Sequence, residues 1–204
     1  MDPRSFVRFA AHFCGMVLRS FILFLRFPTN RIRIAPSARV PWRCSIRAFR
    51  GDEGHIVIGA NCWIEEYARI GTYGGSVELG RDCSVNDFTV IRGGGGVRIG
   101  AGVHIGPHCV LSGISHSIDR VDIPICEQGK IRRPIVIEDD VWIGASVTVL
   151  DGVTIGRGAV IGAGSVVIRP IPAYAVAVGN PARVVRMRTA AEPVPANAGI
   201  GQKA

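Results

Sequence analysis

The chain has 204 residues, which suits one domain with appendages, and carries a formal net charge of +8. The whole excess is N-terminal: residues 1–51 hold ten Arg against the single acid Asp2, whereas residues 52–204 hold fourteen basic and fifteen acidic residues. Six cysteines with no C-x-x-C spacing give no pattern for a disulfide or metal cluster and, with no export signal expected, point to the reducing cytoplasm.

In chain order, residues 5–27 predict an amphipathic helix that Pro28 ends. At 100° per residue Arg4, Arg8, Arg19 and Arg26 fall within about 60° of one another, and the rest of the surface is apolar. The longest uncharged stretch, Phe9 to Leu18, falls far short of the ~20 residues that span a bilayer. No small-residue cleavage site follows, so a secretory signal is not expected. Residues 1–30 therefore read as an in-plane membrane helix with Arg at acidic headgroups, on the inner face of the membrane, or as a helix that caps the fold or packs on a neighbouring subunit.

From residue 34 onward an aliphatic residue recurs every six positions: at 34, 40, 46; at 58, 64, 70; at 79, 85, 91; at 99, 105, 111; and at 137, 143, 149, 155, 161 and 167. All eighteen are Ile, Val or Leu, so the period is read before any local structure. Six fits neither a helix nor plain strand alternation. It fits a short strand plus a turn. Glycine often follows the aliphatic residue, and a small residue lies four positions after it. Three such units make one triangular coil, and about six stacked coils bury a continuous core between Ile34 and Pro172. The small slots include Cys44, Cys62, Cys83, Cys109 and Ser115, so the cysteines read as core residues and Ser115 as pointing inward.

The beat breaks between 46 and 58, between 70 and 79, and between 91 and 99, where Gly93–Gly96 reads as a mobile corner loop. The largest break is the excursion 112–134, which begins with Ser115-His116 and holds Glu127 near its end. A long loop in a strict solenoid is a place for function. Residues 189–204, rich in Ala, Pro and Gly, read as a flexible tail after a domain spanning 31–188.

Three stretches carry a resemblance: Pro134 to Ala145 (PIVIEDDVWIGA), Ile161 to Ser165 (IGAGS) and Val178 to Arg183 (VGNPAR). With the six-residue beat they resemble the hexapeptide-repeat acyltransferases, in particular the galactoside, maltose and polysaccharide O-acetyltransferase branch. The resemblance implies an all-β fold, a left-handed parallel β-helix, against the usual right-handed crossover rule. It implies a homotrimer and acetyl-CoA as donor, with a saccharide acceptor and no metal or nucleic acid. His116 falls where those enzymes place a catalytic base, and imidazole suits removal of a hydroxyl proton near neutral pH. Glu127 could orient that ring or be a solvated charge. Asn86, with Asp87 beside it, matches an acceptor-binding position, or caps a turn. Trp142, Gly144, Ala145, Ala163, Ile168, Arg169 and Arg183 match positions along the donor, the arginines near its phosphates. Two departures stand out. Ile118 replaces a second histidine, and Ile168-Arg169 replaces Thr-Lys. The rival readings are N-acylation of an amino sugar nucleotide, a zinc-dependent carbonic-anhydrase-like enzyme using His104, His108 and His116, and a non-catalytic scaffold.

Overall fold

The computed structural model describes residues 30–189. The helix expected over 1–30 and the tail expected over 189–204 lie, but for Asn30 and Thr189, outside the described residues. Between them the chain is an all-β solenoid of about six turns, a left-handed parallel β-helix. Its three faces are designated A, B and C in the order the chain visits them. Face A stacks six strands, from Ile32–Ile34 to Thr154–Ile155. Face B stacks seven, beginning at Trp63–Ile64 and closing with Ala175–Val178 and Arg183–Met187. Face C stacks six, from Ser45–Arg47 to Val166–Val167. All neighbours within a face run parallel except the last pair on face B, where Arg183–Met187 folds back antiparallel and terminates the stack.

The six-residue beat maps onto the interior. Of its eighteen aliphatic residues, all but Ile34 and Val40 are buried, and those two belong to the first coil and pack on the core from its end. The small residues form two buried columns at the prism edges. One runs Ala38, Cys62, Cys83, Val103, Val141, Ala159; the other runs Cys44, Ala68, Thr89, Cys109, Val147, Ser165. A large residue there would collide with the next coil only one strand spacing, about 4.8 Å, away. The buried thiols find acceptors within this stack: Cys62 Sγ donates to Gly80 O at 3.0 Å, Cys83 Sγ to Gly100 O at 3.0 Å and Cys109 Sγ to Gly144 O at 3.1 Å. Burial pushes the Cys109 thiol up, and the neighbouring Cys62 thiol together with burial pushes Cys83 up.

Every break in the beat falls on one edge, where face C hands the chain to face A. There, residues 48–55, 72–76, 93–96 and 113–134 lie one above the other. The lower part of this edge is a polar network. Arg31 Nη1 pairs with Asp52 Oδ1 at 2.9 Å, while Thr72 Oγ1 and Gly74 N donate to Asp52 Oδ2 at 2.7 and 2.8 Å. Burial pushes the Asp52 carboxyl up, but the Thr72 hydroxyl, the Gly74 N–H and the Arg31 guanidinium outweigh it and hold the group below the usual carboxylate range.

Gly93–Gly96 does not form a mobile corner. Gly93 and Gly94 are buried, and the run is the socket for the excursion. Gly95 N donates to Gly113 O at 2.7 Å, and Ile135 N donates to Gly96 O at 2.9 Å. A Cβ on Gly94 would sit 2.5 Å from Ile114 Cβ, and one on Gly95 would sit 2.4 Å from Arg133 N. Side chains are absent here because both legs of the excursion press on this backbone.

Candidate active site

The excursion is an arm, built as a short antiparallel hairpin. Ile114–His116 pairs with Lys130–Arg132, with His116 opposite Lys130. Its tip holds a single 3-10 turn, Ile125–Glu127. Gln128 staples the tip: its Nε2 donates to Arg120 O at 2.7 Å and to Ile123 O at 3.1 Å, while its Oε1 accepts from Arg120 N at 3.0 Å. Arg132 anchors the returning leg by donating through Nη1 to Tyr73 O at 2.8 Å and Gly94 O at 3.2 Å. Neither role had a sequence signal, because each bond joins residues whose proximity depends on the arm's own folding. Ser115 departs from the expectation of an inward slot. The solenoid phase stops at Leu111, so Ser115 is a half-buried hairpin residue.

His116 is exposed at the arm's root. Glu127 is exposed at the tip, its backbone N–H donating to Pro124 O at 3.0 Å, and no hydrogen bond joins its carboxylate to His116. Asn86 occupies the edge between faces B and C. Its Nδ2 and its backbone N–H both donate to Ile105 O, at 2.7 and 3.0 Å. Asp87 next to it accepts from His108 N through its carbonyl at 2.9 Å.

Trp142 projects from face B and is 57% exposed. Gly144 and Ala145 turn the same coil onto face C, and Ala163 turns the next. Gly164 N donates to Ala145 O at 2.8 Å, and a Cβ on Gly144 would meet Ala163 N at 2.7 Å. Arg183 is exposed on the closing strand of face B. Ile168 and Arg169, also exposed, lie elsewhere: they follow Val166–Val167 on face C, at the edge that bears the arm two strands away.

The predicted residues thus divide into two groups. Asn86, Asp87, Trp142, Gly144, Ala145, Ala163 and Arg183 share face B and its edge with face C. His116, Glu127, Ile168 and Arg169 share the edge between C and A. One face, at most about 20 Å of extended chain, separates the two.

The other described histidines make contacts of their own. His104 lies outward on face B in register with Trp142 and shares a 2.8 Å hydrogen bond between its Nδ1 and Ser84 Oγ. His108 stacks on Phe88, which stacks on Tyr67, both at 5.0 Å between ring centroids. His55 contacts Glu78 Oε1 and Ser76 Oγ at 2.9 and 3.0 Å. Among the described residues no three or more His, Cys, Asp or Glu side chains stand close enough to hold a metal ion. No helix among them is long and apolar enough to cross a membrane.

Comparison with known proteins agrees with this architecture. The family model described as bacterial transferase hexapeptide (six repeats) matches residues 134–169. The chain is 38% identical over 135 residues to galactoside O-acetyltransferase of Escherichia coli, covering 66% of this chain and 64% of that protein. It spans from 37% to 64% of the length of the first curated relatives it matches. Among solved structures, a hexapeptide-repeat containing acetyltransferase from Vibrio cholerae is 32% identical with a TM-score of 0.55, over 64% of this chain and 72% of that one. AntD, an N-acyltransferase from Bacillus cereus solved with a dTDP-linked amino sugar and coenzyme A, has the same fold, with a TM-score of 0.69 at 21% identity over 81% and 88% of the two chains. With its period, prism and arm in place, this chain belongs to the hexapeptide-repeat acyltransferase family.

Proposed function

We propose that the protein transfers an acetyl group from acetyl-CoA to a hydroxyl of a saccharide or glycan precursor, at sites shared between copies of the chain in a homotrimer. The observation that carries this reading is the division of the candidate residues between two edges of one prism. A base on one edge and an acceptor and donor wall on another cannot meet within a rigid solenoid. Packed side by side around a three-fold axis, the arm edge of one copy faces the wall of the next.

The residues fit these roles. Acetyl-CoA supplies an activated acyl carbon when bound. Small side chains at Gly144, Ala145 and Ala163 leave room for a slender arm beside the exposed Trp142. Arg183 on that wall, and Ile168 and Arg169 brought by the neighbouring copy, stand where phosphates can be met. Asn86 holds the acceptor hydroxyls, with Asp87 beside it. His116, free of any intramolecular commitment that would hold its ring, takes the hydroxyl proton as the new bond forms. Glu127 reaches that ring only if the arm tip closes on it, so its part is to orient the imidazole in the loaded state. The Arg-rich segment 1–28 brings the enzyme to an acidic membrane surface on the cytoplasmic side, near lipid-linked glycans.

The test is a coenzyme A release assay, corrected for hydrolysis, across sugars, sugar nucleotides, amino sugars and lipid-linked glycans. O-acetylated product from wild type, lost in His116→Ala with trimer and melting temperature retained, supports the reading. Turnover confined to amino acceptors replaces it with N-acylation.

A further inference from the structure

Face B carries on its outward side four residues in consecutive register: Trp63, Ser84, His104 and Trp142. At one strand spacing per step, Trp63 stands about 14 Å from Trp142. Below Trp142 the surface opens into a depression of about 420 Å³ lined by Asn61, Trp63, Asp82, Cys83, Ser84 and His104.

The chemistry of this depression is specific. Trp63 is 48% exposed. The Arg39 guanidinium, 4.2 Å from the ring centroid, covers one face of the indole, and the rest of the side chain lines the depression. Polar groups stand around it in preset pairs. Asn61 Nδ2 donates to Asp82 Oδ1 at 3.0 Å, and Ser84 Oγ meets His104 Nδ1 at 2.8 Å. Asp82 pairs with Arg81 at 2.8 Å, and the Arg39 guanidinium lies against the indole. An aromatic ring beside amide, hydroxyl and imidazole groups is a surface for a neutral, polyhydroxylated ring. Such a ring stacks its C–H face on the indole and exchanges hydrogen bonds at its rim.

The depression sits at the edge between faces A and B, whereas Asn86 sits at the opposite edge of the same strand. Asp82 and Asn86 are four residues apart, up to about 13 Å of extended chain, which is wider than one sugar ring. We infer that face B is a saccharide-binding strip whose ligand has two or more sugar rings, with the distal ring on Trp63 and the ring nearest the donor wall at Asn86. The assignment of the reacting end rests on the acyltransferase reading; the binding does not.

The experiment is calorimetry on the full chain without acetyl-CoA, using malto- and chito-oligosaccharides from monosaccharide to tetrasaccharide. Affinity should rise about tenfold or more once a second ring is added. Trp63→Ala and His104→Ala should abolish that gain and leave monosaccharide binding unchanged. Trp63→Phe, which keeps a stacking ring, should retain most of it, and His116→Ala should bind as wild type does. Equal affinity for short and long sugars, a gain that survives Trp63→Ala, or no binding of any of these sugars up to about 10 mM would overturn the strip. Sugar binding with this length dependence in a protein that transfers no acetyl group would sink the catalytic proposal and uphold this one.

Discussion

His116 and Asp52 show how differently two polar residues on the same edge are used. His116 is exposed and structurally uncommitted, so His116→Ala should leave the melting temperature unchanged and lower kcat by about a hundredfold to ten-thousandfold, the span of a lost general base. Asp52 is committed to Arg31, Thr72 and Gly74. Its folded-state pKa is held below the unfolded value near 3.9, so its stabilisation is fully present above that value and lost as the pH falls through the folded pKa. Acid titration followed by circular dichroism should show stability falling below about pH 4. Asp52→Asn should flatten that slope and cost roughly 2 kcal/mol at neutral pH, the scale for charge-assisted hydrogen bonds. A slope unchanged in the variant would remove Asp52 from the account. Among the described cysteines, only Cys126 is exposed. A thiol reagent on native protein should label Cys126 quickly and leave Cys44, Cys62, Cys83 and Cys109 unmodified until unfolding, as read by mass spectrometry.

At the scale of elements, the arm and its glycine socket act as one unit. Gly95→Ala places a methyl group 2.4 Å from Arg133 N, so a leg of the arm must move. The expected result is a kcat lowered by about tenfold or more, with faster amide exchange across 113–133 and unchanged protection in the core strands. Wild-type exchange and activity in this variant would mean that the socket does not set the arm. Here the sequence was only partly legible. The coils were readable because each aliphatic slot depends on its own six-residue unit, and the interior repeats that unit. The edge between C and A was not, since its order comes from pairs such as Arg31–Asp52 and Arg132–Tyr73, joined across coils by contacts that no local pattern encodes. Gly93–Gly96 looked mobile for that reason, and Ser115 looked inward because the beat was extended one unit past Leu111.

Across the whole molecule, the solenoid is a rigid spacer that presents separate surfaces on separate edges. The candidate site was legible as a residue set and not as a place: motif positions name His116 and Trp142 without saying that one face of the prism lies between them. That separation makes assembly the central claim. The most direct measurement mixes two variants expected to be inactive, His116→Ala and Ala163→Trp, the second placed to block the proposed donor wall at an exposed turn. Each homotrimer should be inactive. Trimers re-formed from the mixture should regain acetyl transfer, because some interfaces pair an intact arm with an intact wall. Mixed trimers verified by native mass spectrometry that stay inactive would contradict a site shared between copies.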